Sequence, residues 1–146
     1  IGACDKGIVI NPQYAGAWNN KGLALYYSGR YGEAIAVYGK AVEIKPQCAE
    51  AWYNKGNALG DLGRYEEAIA AYDKAIEINP QLTEAWTYKG HALHGLGRHE
   101  EAKEAFERAH ETDPTIEKPQ IPAFQVTFAI MCLLAVAYFL RRENGR

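Results

Sequence analysis

Cysteine is scarce in this chain of 146 residues: Cys4, Cys48 and Cys132 lie far apart, odd in number and without a CxxC pair. That excludes a disulfide framework, though it does not settle the redox compartment. An excess of charge of one sign is lacking too. The formal net charge is −2, so no basic field draws the whole chain to nucleic acid. No nucleophile–base pair stands out and no glycine-rich phosphate loop is present, which leaves catalysis without residue support; the chain reads as a non-enzyme that needs no cofactor. It opens without an initiator Met and without a signal peptide.

What is present is a period. Pro12, Pro46, Pro80 and Pro114 are spaced by 34 residues, and Trp18, Trp52 and Trp86 keep the same spacing. So do Gly22, Gly56 and Gly90; Gly29, Gly63 and Gly97; Ala34, Ala68 and Ala102; and Ala41, Ala75 and Ala109. Such self-similarity marks a repeat architecture, in which each unit buries its apolar face only against its neighbours.

One copy shows what the unit is. Ala51, Trp52, Lys55, Gly56 and Leu59 recur at helical spacing and predict a first helix, broken at Gly63. Tyr65, Ala68, Ile69, Tyr72, Ala75 and Ile76 predict a second helix. Glu66 and Glu67 fall in its first turn, where negative charge suits the helix dipole. Asn79-Pro80 ends it, because proline cannot continue a helix and disfavours the helical state before it. Gly56, Ala68 and Ala75 sit where two helices approach closely, with Trp52 and Tyr72 filling the space beside them.

The run Trp52-Tyr53-Asn54-Lys55-Gly56-Asn57-Ala58-Leu59, followed by Ala68, Tyr72, Ala75 and Pro80, resembles the tetratricopeptide repeat. Lys21, Lys55 and Lys89 stand where that family more often has Leu; their stems can pack while the ammonium reaches water. The resemblance implies an all-α fold of helix–turn–helix repeats stacked in a right-handed superhelix. Three copies run over 15–48, 49–82 and 83–114. Residues 1–12 align with the second helix of a repeat, so a truncated preceding repeat is expected there.

The tail departs from the period. After a polar linker over 115–120, residues 121–140 contain no charge. Twenty helical residues span about 30 Å, the thickness of a bilayer core, and a transmembrane or anchor helix is predicted. The alternative is a capping helix, but that needs a polar outer face, and this segment is apolar all round. The basic tail over 141–146 carries Arg141, Arg142, Glu143 and Arg146, whereas Glu111, Asp113, Glu117 and Lys118 precede the span. The positive-inside rule therefore puts the arginines in the cytoplasm and the repeats on the extracytoplasmic side, at the cell surface. The opposite orientation would be a cytoplasmic tail-anchored protein. Pro122-Ala123-Phe124, the apolar run and the arginines also resemble the Pro-Gly-Phe-type C-terminal sorting signals of archaeal surface proteins, with Ala123 in place of the glycine.

By the family pattern the groove-facing positions of the first helices are Gly16, Asn19, Asn20, Leu23 and Tyr26; Glu50, Tyr53, Asn54, Asn57 and Gly60; and Glu84, Thr87, Tyr88, His91 and His94. The resemblance implies that a peptide or protein segment binds there. Asn20 and Asn54 share one repeated position, where an amide column can pair with a peptide backbone; Tyr88 interrupts it. Family members that bind C-terminal carboxylates use a Lys/Arg/Asn clamp, and Glu84 and Leu23 stand where it needs Lys and Asn. The clamp is therefore rejected in favour of a neutral or basic segment.

His91 and His94 lie three apart on one helix and, with Glu84 or Glu50, offer a weak metal site. Solvent-facing histidines are the better reading. Residues 15–114 hold 11 Lys and Arg against 15 Asp and Glu, a net charge of −4 that argues against nucleic acid. The expected function is a membrane-anchored protein-interaction scaffold. The alternative is a self-associating structural protein, in which the apolar tail packs in an oligomer.

Overall fold

The computed structural model describes residues 8–115; the expected anchor over 121–140 and the basic tail over 141–146 lie outside them. Among the described residues every regular element is a helix. After a helical segment at residues 8–10 come α1 (Ala15–Tyr27), α2 (Tyr31–Ile44), α3 (Ala49–Asp61), α4 (Tyr65–Ile78), α5 (Thr83–Gly95) and α6 (His99–Thr112). No helix among the described residues is long and apolar enough to cross a membrane.

The period in the sequence is the period of the turns. Within each pair the chain reverses at a glycine in the left-handed region: Gly29 and Gly63 at φ 73° and Gly97 at φ 75°. The residue after each glycine donates its N–H back into the helix just ended, Arg64 to the Leu59 carbonyl at 2.9 Å and Arg98 to Leu93 at 2.9 Å. This bond satisfies a carbonyl that helix termination would orphan. Between pairs the proline and tryptophan columns explain each other. The indole N–H of Trp18, Trp52 and Trp86 donates to the carbonyl of Pro12, Pro46 and Pro80 at 2.8, 2.9 and 3.0 Å, tying each first helix to the loop before it.

The remaining glycine column sets the distance between paired helices. A Cβ on Gly56 would lie 2.5 Å from the Tyr72 ring, and one on Gly90 2.6 Å from Phe106. Hydrogen at these positions lets Tyr38, Tyr72 and Phe106 lie flat on α1, α3 and α5. Tyr38 and Tyr72 are buried with Ala34, Ala41, Ala68 and Ala75. Truncating an aromatic ring buried this way costs about 3–5 kcal/mol. Leu59 and Leu93 carry the core from pair to pair, α2 packs onto α3, and α4 packs onto α5. The lysine column behaves as its stems require: Lys55 lies 5.3 Å from the Trp52 ring, and Lys89 lies 5.4 Å from Trp86 with its ammonium 2.6 Å from Asp73. The Arg–Glu pairs that open α2, α4 and α6 are exposed and contribute little.

Candidate functional site

The first helices, α1, α3 and α5, form one face, and two hollows open on it. The larger, about 280 Å³, is lined by Tyr26 from α1, Asn57, Gly60 and Asp61 from α3, Tyr65 and Tyr72 from α4, and Tyr88, His91 and Ala92 from α5. The smaller, about 90 Å³, is lined by Leu23, Tyr26, Tyr27, Tyr38, Tyr53, Asn54 and Asn57. Tyr26 and Asn57 belong to both, so the hollows adjoin.

An aromatic run crosses this face. Tyr53 stands 5.8 Å from Tyr88 and 6.2 Å from Tyr72, Tyr88 6.1 Å from His91, and His91 5.1 Å from Phe106. Two polar contacts fix its walls. Tyr26 Oη donates to Asp61 Oδ2 at 2.6 Å, joining α1 to α3, and Tyr72 Oη donates to Asn57 Oδ1 at 2.9 Å. Burial first, and then its bond to Asp61, pushes the Tyr26 hydroxyl far above its ordinary range. Burial does the same to Tyr72 and Tyr38. At neutral pH all three phenols are uncharged, and Tyr26 and Tyr72 donate. Burial, with a smaller contribution from His94, pushes His91 below the ordinary imidazole value, so its ring is predominantly uncharged at pH 7.

Of the expected groove residues, Tyr26, Tyr53, Asn54, Asn57, Tyr88 and His91 come together around the hollows. The exposed asparagine column is not formed. Asn54 and Asn19 are both buried; Asn54 Nδ2 donates to Asn19 Oδ1 at 3.2 Å, and Asn19 Nδ2 donates to Glu50 Oε1 at 3.3 Å. A buried amide needs a partner, and these two find one another across the repeat boundary. Asn20 is exposed and lines neither hollow. Thr87 donates its hydroxyl to the Thr83 carbonyl in its own helix at 3.0 Å, and Glu84 is exposed and lines neither hollow.

The two histidines expected to share a side part company. His91 turns to Tyr88 and Phe106, while His94 turns to His99, their Nδ1 atoms 3.2 Å apart. Among the described residues no group of three His, Cys, Asp or Glu could hold a metal ion.

Asp61 and Tyr65 were not expected in the site. Both occupy positions that vary between copies: Tyr27, Asp61 and Gly95 form one column, and Tyr31, Tyr65 and His99 the other. That variability inside an otherwise regular repeat was the available signal.

Three stacked helix pairs with an open aromatic face define a helical-repeat protein. The chain belongs to the tetratricopeptide repeat family, whose models match residues 11–47, 19–83 and 59–121. Members of this family are protein–protein interaction modules. Comparison with curated proteins gives no match. Among solved structures, the chain is similar to the first tetratricopeptide domain of Spaghetti (RPAP3) bound to the HSP90 peptide SRMEEVD, at 27% identity and a TM-score of 0.73, covering 82% of this chain and 94% of that one. It is similar also to MamA, at 27% identity and a TM-score of 0.73, covering 77% of this chain and 66% of that one. The Arabidopsis OM64 domain, at 24% identity and a TM-score of 0.69, covering 71% of this chain and 86% of that one, shares the fold. Matches extend to 321 solved chains, so the likeness by itself selects no partner.

Proposed function

We propose that this chain is an interaction scaffold that holds an extended peptide or protein segment along the face of α1, α3 and α5. The observation that carries this reading is the pair of adjoining hollows, open on a face where aromatic rings and the half-buried Asn57 amide meet solvent while the core beneath is filled. Aromatic and amide groups of this kind supply contact area and adaptable hydrogen bonds to a peptide. Binding of a peptide by the Spaghetti domain supports the mode. It does not support the same ligand: that peptide has an acidic end, and Glu50, Asp61 and Glu84 make this face acidic.

The test is selection from a random peptide display library on the full chain in detergent micelles, repeated with Gly60→Phe. A Cβ on Gly60 approaches only the Tyr72 hydroxyl, at 3.7 Å, so the larger residue occupies the hollow rather than the core. Enrichment that disappears with Gly60→Phe supports the reading; enrichment unchanged by it, or none in the unmodified chain, refutes it.

The reading also attaches the scaffold to a membrane through 121–140, with the repeats on the extracytoplasmic side. What supports this is the uncharged run followed by Arg141 and Arg142. Carbonate extraction and protease treatment of intact cells test it. A chain that resists extraction and loses its repeats to external protease agrees; a chain released by carbonate does not.

A further inference from the structure

We infer that the larger hollow receives an arginine side chain of the bound segment, seated among tyrosine rings and closed by the Asp61 carboxylate. The inference rests on the peptide-binding reading and names the chemistry of its ligand.

Three observations converge on a cation. The walls of the hollow are aromatic: Tyr26, Tyr65, Tyr72 and Tyr88 come from three helices, α1, α4 and α5, and line one space. Aromatic faces attract cations, and guanidinium stacks on them better than ammonium does. Among the described residues lining the hollow, Asp61 is the one carboxylate. Tyr26 holds its Oδ2 at 2.6 Å, which fixes the group at the mouth and leaves Oδ1 to accept from a ligand. Finally, no Lys or Arg is among the described residues lining either hollow. The lysines of α3 and α5 lie over Trp52 and Trp86 instead, so no resident cation answers Asp61 there. His91 is no substitute, since burial disfavours its charged form. A neutral or acidic side chain would leave the π faces and the carboxylate without complement; a planar cation satisfies both at once.

The volume of about 280 Å³ admits one long side chain together with its flanking backbone. Asn57 lines both hollows, and its Oδ1 accepts from the Tyr72 hydroxyl at 2.9 Å, which fixes the amide between them.

The experiment uses peptides enriched by the full chain in the selection above, resynthesised with citrulline in place of each arginine. Citrulline keeps the shape and removes the charge. Enriched peptides should share one arginine whose replacement weakens binding about tenfold. Asp61→Asn should weaken the arginine peptide by a similar factor and leave the citrulline peptide unchanged. Asn keeps an oxygen for Tyr26 and relieves a negative charge at a helix C-terminus, so the variant should fold as the parent does. Enriched peptides without a basic residue, or citrulline forms that bind within twofold of the originals, overturn this inference and leave the groove reading intact. Failure of any peptide to enrich overturns the groove reading and this inference with it.

Discussion

Adding one methyl group should have opposite consequences at two glycines of this chain. Gly39 lies inside α2, and a Cβ there meets nothing within 4 Å. The other copies carry Asp73 and Glu107 at that position, so the backbone accepts a side chain. Gly39→Ala should therefore stabilise by about 0.5–1 kcal/mol, the entropic disadvantage of glycine inside a helix. Gly56→Ala makes the same chemical change inside α3, but the new Cβ would stand 2.5 Å from Tyr72 Cε1 and 2.7 Å from Cδ1. Ordinary contact begins near 3.4 Å, so the ring must retreat by about 1 Å. It has nowhere to go: Tyr72 is 2% exposed and its hydroxyl is held by Asn57. Overpacking of this kind costs about 1–3 kcal/mol, against a propensity gain of about 1 kcal/mol, so the net loss should be about 0–2 kcal/mol. The two variants should differ by about 0.5–3 kcal/mol in urea unfolding followed by far-ultraviolet circular dichroism. Tyr72→Leu in the Gly56→Ala background should recover part of the loss, because the two substitutions share one contact. Equal stability of the two alanine variants, or a more stable Gly56→Ala, would refute the packing described between α3 and α4.

Other substitutions test other parts of the account. Tyr38 Oη is buried without a hydrogen-bond partner among the described residues, because Leu23 stands where Asn57 serves Tyr72; thermal unfolding should show Tyr38→Phe unchanged or stabilised by about 1 kcal/mol and Tyr72→Phe destabilised by about 1 kcal/mol. Gly63→Ala forces a Cβ into the left-handed region and should cost about 1–2 kcal/mol in the same assay, although no atom lies within 4 Å of the new methyl. The His91 ring should titrate below 6.5 by NMR. Its folded value is depressed, so its contribution to stability is fully present above pH 6.5 and declines as pH falls below that; a midpoint at or above 6.5 would contradict the burial assigned to it.

The helices were legible because each unit repeats the same local chemistry. The residues expected in a first helix, Ala51 to Leu59, lie within Ala49–Asp61, and those expected in a second helix, Tyr65 to Ile76, lie within Tyr65–Ile78. Gly63 needed only its own turn, and Gly56 only the ring opposite. Contacts between repeats were not legible, since they depend on how far one pair is displaced from the next, and a period does not encode that displacement. Asn19 and Asn54 lie 35 residues apart in sequence, not 34, and that offset turns an expected solvent-facing column into an internal bond. Tyr26 and Asp61 are likewise 35 apart, which is how a carboxylate outside the expected groove positions came to edge the larger hollow.

The central claim is that the face of α1, α3 and α5 holds a peptide, and ring NMR of the full chain tests it most directly. With carbon-labelled tyrosine and histidine, addition of a selected peptide should shift the rings of Tyr26, Tyr53, Tyr88 and His91, which line the hollows, and leave Tyr14, exposed beside the start of α1, in place. Shifts confined to Tyr14 and other rings outside the hollows, or none at saturating peptide, would contradict it.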